Sequence, residues 1–250
     1  MNASENMNTH DRQLWLWCPM KTEAKAARKG APNAKVTCTG IGYEKSLEFG
    51  ERLAQGEIAE VIKFTKTTKP SKVQVEDISE AGLENARVVI VGFCGGLQVE
   101  TGESQAEVEP GEVIVASELR GDGETILMEG TDKYVNLLKS HGLKARVAPV
   151  HCSKNLVYGK EREELGKTGA EVVEMESWWL INGSADSSFR PDAVIRVVLD
   201  SHSLIGGIFK LRQASRVITA VAEALSAGTY GTSESGASDT AISESGETDS

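Results

Sequence analysis

Short apolar runs rich in β-branched residues recur along the chain: Leu14 to Cys18, Lys35 to Thr39, Arg87 to Val91, Glu112 to Ala116, Lys144 to Val150, Glu171 to Val173 and Val194 to Leu199. Each is bounded by Gly, Pro or polar clusters and is mostly apolar, which predicts buried strands. Helical patterns fall between them, over Tyr43 to Gln55, over Asp132 to Ser140 with Thr131 as N-cap, and over Ser177 to Asn182. Near the end, Ile208, Leu211, Ile218, Val221 and Leu225 recur at three-, four- and seven-residue spacings, an amphipathic helix from Ile208 to Ala227 that Gly228 closes. Strands alternating with helices predict a layered α/β fold. The stretch Glu57 to Asn85 follows no clear period, and its Lys66 to Lys72 portion is polar and carries Pro70.

The 250 residues suit one core better than two, so a single domain over residues 14–228 is expected behind a flexible N-terminus, residues 1–13. Residues 229–250 are rich in Ser, Gly and Thr and hold Glu234, Asp239, Glu244, Glu247 and Asp249, with no Lys or Arg after Arg216. They bury too little to offset ordering, which predicts an acidic disordered tail. A net charge of -10 excludes a nucleic-acid backbone as partner. No apolar run reaches the ~18 residues of a membrane span and the first thirteen residues hold no signal segment, so a cytoplasmic protein is expected. Cys18, Cys38, Cys94 and Cys152 lie far apart without a Cys-x-x-Cys pair, which argues for reduced thiols and against a zinc site.

The chemistry gathers after the strand candidates. In Val173-Glu174-Met175-Glu176-Ser177 an apolar approach ends in two carboxylates around a methionine. On an extended segment Glu174 and Glu176 share one side, and a carboxylate accepts from two vicinal hydroxyls while Met175 lies on the apolar face of a ribose. The other reading is an ordinary helix start. Three further segments stand in the same order: Cys18-Pro19-Met20-Lys21-Thr22-Glu23, Gly92-Phe93-Cys94-Gly95-Gly96-Leu97 and Arg196-Val197-Val198-Leu199-Asp200-Ser201, joined by Pro110 to Ser117.

Taken together these motifs resemble the purine nucleoside phosphorylase and methylthioadenosine/S-adenosylhomocysteine nucleosidase superfamily over roughly Leu14 to Leu225. The resemblance implies a three-layer α/β/α domain with a central mixed, partly barrel-like sheet, and cleavage of the N-ribosidic bond of a purine nucleoside, adenine with a 5′ modification. It implies Asp200 as general acid at the purine and Glu23 as the base that activates water. It places Glu176, Met175 and Glu174 on the ribose, and Phe93, Gly95, Gly96 and Ser153 among the substrate-binding residues. No cofactor or metal is implied, and the partners are a small-molecule nucleoside and further copies of the chain, as a homodimer or higher homo-oligomer. An aspartate acts as an acid near neutrality only when burial disfavours its charge.

Water is expected as nucleophile, because the phosphorylase branch holds phosphate with an arginine and a hydroxyl where this chain has Ile90 and Phe93. Inorganic phosphate remains the co-substrate of the alternative, a phosphorylase, including the hopanoid-linked branch that removes adenine from an adenosyl lipid. Two further alternatives are a non-catalytic nucleoside-binding protein and a cysteine hydrolase, in which Gly92 to Gly96 is a nucleophile elbow around Cys94 with Asp200 and His202 downstream. His151, Cys152, Asp200 and His202 lack metal-ligand spacing.

Overall fold

The computed structural model of the chain describes residues 12–56, 86–101, 104–185, 189–200 and 207–228. The predicted tail, most of the predicted flexible N-terminus, the pattern-free stretch 57–85 and His202 lie outside these.

Among the described residues ten strands and six helices alternate. The strands are β1 (Gln13–Cys18), β2 (Lys35–Cys38), β3 (Ala86–Gly96), β4 (Gln98–Thr101), β5 (Ser104–Glu107), β6 (Val113–Gly121), β7 (Glu124–Leu127), β8 (Ala145–Cys152), β9 (Val172–Glu174) and β10 (Ala193–Asp200). The helices are α1 (Lys21–Gly30), α2 (Gly42–Ala54), α3 (Thr131–Ser140), α4 (Lys160–Gly166), α5 (Ser177–Gly183) and α6 (Gly207–Ala227). All seven apolar runs are strands, although β3 and β6 run five residues further than their apolar stretches, through glycine and polar residues.

Three predictions need correction. Thr131 is the first helical residue, and Gly130 caps α3 at φ 63°, a left-handed conformation that glycine adopts without strain. Helix α1 escapes the pattern because its inward face is Ala24, Ala27 and Gly30, too small to read as an apolar stripe. Strands β4, β5 and β7 are polar and have no apolar signature.

The sheet is mixed: β1 pairs in parallel with β2 and β3, β3 with β10, β6 with β8 and β8 with β9, whereas β10–β6, β3–β9 and β6–β7 are antiparallel. Because β3 meets both β10 and β9, the strands β3, β10, β6, β8 and β9 close on themselves as a partial barrel, and β1 and β2 leave it as a wing. Alternate residues of each strand face opposite cores. Leu14, Leu16 and Cys18 pack with α1, α3 and α6, and Trp15 and Trp17 with α2 and α5, which gives the three layers.

One edge of β3 positions the site. Strand β10 covers Val89 to Gly95 along one edge, while the other edge is shared by β1, over Ala86 to Ile90, and β9, over Gly95 and Gly96. Between them the edge at Val91 to Cys94 has no strand partner among the described residues, and Glu23 reaches into this opening.

Candidate active site

Glu23 fills the opening. Strand β1 ends at Cys18, Pro19 and Met20 turn the chain, and Glu23 is the third residue of α1. Its Oε2 accepts the Met20 N–H at 2.6 Å, the return half of a capping box, and its Oε1 accepts the Phe93 N–H at 2.7 Å, the very donor that β3 leaves unpaired. The side chain is 1% exposed. Burial pushes its pKa up to about 7, against the lowering effects of Arg196 and the two amides; Glu174 raises it slightly.

Arg196 is the cation at the centre. It is fully buried and its Nη2 donates to Glu174 Oε2 and to Ser177 Oγ. A Cβ on Gly92 would stand 2.1 Å from Arg196 Nη1 and 3.1 Å from Glu23 Oε1, so the strand needs glycine there for the guanidinium to pass. Nη1 and Nε have no hydrogen-bond partner among the described residues. A lone arginine within the apolar run Val194 to Leu199 was the sequence signal for a buried ion pair.

The two ribose candidates part company. Glu174 is spent on structure: besides Arg196 it accepts the Ser177 N–H at 3.0 and 3.1 Å, the Glu176 N–H at 3.0 Å and the Cys152 thiol. Glu176, 7% exposed, accepts only backbone amides among the described residues, from Gly42 at 3.1 Å and Met175 at 3.3 Å. Burial, then Glu174, push its pKa up to about 8, against Arg196 and the Gly42 amide. Met175 is half-buried beside Gly42, so the residue pair offers the open side a carboxylate and a thioether.

Asp200, 5% exposed, ends β10 beside the glycines of β3, in register with Gly95 after an irregularity beyond Val198. Its Oδ1 accepts from Arg162 Nη1 at 2.6 Å, and its backbone carbonyl from Arg162 Nη2 at 3.4 Å. Gly96 lies against the Asp200 carbonyl, and Gly95 against the Arg162 guanidinium. Arg162 stands in α4, whose Lys160 to Glu164 run gives no sequence sign of a buried role. Ser153 borders the site through its backbone, donating to the Glu174 carbonyl at 2.8 Å, while its hydroxyl accepts the Asn155 N–H at 3.2 Å. The Phe93 ring points into the core on the α1 and α6 side, so its contribution at the site is its amide.

The elbow expected of a cysteine hydrolase is absent. Cys94 lies within β3, in register with Val198, and burial pushes its thiol well above the usual range, which disfavours a nucleophilic thiolate. Trp178 and Trp179 pack into the second core, with Trp178 against Gly121 and Trp179 edge-on to Tyr43. A separate cleft of about 550 Å³ between Arg12, Met128, Lys133 and Arg190 holds none of the candidate residues.

The fold, a mixed sheet closed into a partial barrel between helical layers, is shared with solved nucleosidases. Among solved structures the chain superposes on the Campylobacter jejuni 5′-methylthioadenosine/S-adenosylhomocysteine nucleosidase with a TM-score of 0.60 at 11% identity, over 86% of this chain and 99% of that one. A Helicobacter pylori variant of the same nucleosidase, with 5′-methylthioadenosine in its active site, gives 0.57 at 13%, over 87% and 97%. A futalosine hydrolase mutant from Helicobacter pylori gives 0.56 at 13%, over 86% and 98%. No family model matches the sequence, and no curated protein matches it.

Proposed function

We propose that the chain hydrolyses the N-ribosidic bond of a purine nucleoside. The observation that carries this reading is the convergence of Glu23 and Glu176 on Arg196 at the unpaired edge of β3, one strand from Asp200. Breaking the bond leaves positive charge on the sugar and negative charge on the departing base. Glu176 grips the ribose hydroxyls with Met175 against the ring, Glu23 takes the proton of the attacking water, and the purine departs over Gly95 and Gly96 beside Asp200. A base with a pKa of about 7 matches its working pH, where general base catalysis is most effective.

Electrostatics favours water over phosphate. Around Arg196 stand three carboxylates, Glu23, Glu174 and Glu176, and its guanidinium is already bound to Glu174. Above about pH 8, where Glu23 and Glu176 are both ionised, a phosphate dianion there meets more negative than positive charge. Of the cations on α1, Lys21 is exposed and Arg28 donates to the Val36 carbonyl at 2.9 Å.

Assaying free purine from adenosine, inosine and their 5′-methylthio derivatives, with and without phosphate, tests the proposal. Release without phosphate is expected. No release from any purine nucleoside sinks it, and an absolute need for phosphate turns it into the phosphorylase reading.

A further inference from the structure

Resting on the purine nucleosidase reading, a further residue bears on which purine is released. Arg162 is 8% exposed, and Gly95 opposite it is glycine for a packing reason: a Cβ there would stand 1.9 Å from Arg162 Nη2. The strand is bare where the guanidinium lies. Burying an arginine is unfavourable unless its donors are used, yet Arg162 Nε is buried without a hydrogen-bond partner among the described residues.

We infer that Arg162, held in place by Asp200, reads the leaving base and makes the site select a 6-oxopurine nucleoside over a 6-aminopurine nucleoside. The guanidinium carries five N–H donors and no acceptor. The two hydrogen bonds to Asp200 use the carboxylate oxygen Oδ1 and the backbone carbonyl. What remains is three N–H groups against one carboxylate oxygen, a subsite with donors in surplus. The Hoogsteen edge of a 6-oxopurine presents two acceptors, N7 and O6, at the spacing that a guanidinium contacts bidentately; a 6-amino group sets a donor against those donors. As the ribosidic bond lengthens, the negative charge on the purine spreads to N7 and O6, where a fixed guanidinium stabilises it with no proton in transit. The departing base therefore takes its stabilisation from Arg162, and Asp200 aims it.

The test compares kcat/KM for 5′-methylthioinosine and 5′-methylthioadenosine, which share a 5′ group, in the wild-type chain and in R162Q. The wild type is expected to favour the inosine compound at least 10-fold, and R162Q, whose amide restores an acceptor, to shift the ratio toward adenine by about 10- to 100-fold. A wild-type preference for adenine, or a ratio that R162Q leaves unmoved, overturns the inference while leaving the hydrolase standing; silence on both substrates and on adenosine and inosine removes the hydrolase reading as well. If R162Q does not fold, the wild type is compared on inosine and on purine riboside, which lacks any 6-substituent. A kcat/KM at least 10-fold lower for purine riboside supports the O6 contact, and equal values overturn it.

Discussion

Glu23 Oε1 accepts the Phe93 amide at 2.7 Å, so a helix residue completes the hydrogen bonding of a strand 70 positions later, where the sheet itself supplies no partner. The same bond fixes the carboxylate that we assign as base, and its second oxygen is fixed by Met20. A preorganised base needs no rearrangement when water arrives.

Replacing Glu23 with glutamine removes the base and leaves one of the two amides facing an NH₂ group. Purine release is expected to fall about 10² to 10⁴-fold while the far-ultraviolet circular dichroism stays that of the wild type. Single-turnover release within threefold of wild type would exclude Glu23 as the base.

The pH dependence follows from the same residue. With its pKa at about 7 the base is protonated in acid, so kcat/KM should climb through neutrality and level off above it. Stability runs the other way. The folded chain holds this proton up to about pH 7, whereas the unfolded side chain releases it at 4.5, so folding is favoured by the group below pH 4.5 and that contribution disappears as pH rises to about 7. The loss is about 3 kcal/mol by linkage. Urea titrations at pH 5 and pH 8 should show a lower midpoint at pH 8, with a smaller gap in the Glu23→Gln variant.

Arg196→Met strands three buried carboxylates without their cation. Breaking a buried pair from one side costs about 3 to 5 kcal/mol, and thermal unfolding should report a drop of several degrees at pH 8. The deficit should shrink at pH 5, where Glu23 and Glu176 take up protons. A pH-independent deficit would separate Arg196 from the two carboxylates.

At Gly92, alanine places a methyl group 2.1 Å from Arg196 Nη1. Overpacking of this kind costs about 1 to 3 kcal/mol, and because Glu23 Oε1 stands 3.1 Å from the same point, turnover should fall more than stability does. Wild-type turnover in a stably folded Gly92→Ala variant would show that the guanidinium has room to move.

The extended apolar runs named all seven strands that carry the site, because strands covered on both faces by helices must be apolar throughout and such runs are visible in one dimension. Glu23, Glu176 and Asp200 stood out as candidates for a related reason: each lies at or just after a strand end, where α/β folds collect ligands. Arg162 was not legible. It lies in a charged helical run whose neighbours Glu161 and Glu163 are exposed, and only the approach of α4 to a bare stretch of β3 turns that one arginine inward.

The sequence alone thus determined the layered α/β plan and offered three acidic side chains near its strand ends as candidates, since burial pattern and residue chemistry are local properties. Tertiary structure decided how the carboxylates divide their work: Glu174 is consumed by Arg196 and Ser177, Glu176 faces only amides among the described residues, and Asp200 is joined to Arg162. Those partnerships depend on which strand lies beside which, and on two glycines in β3 whose missing side chains make room for two guanidinium groups.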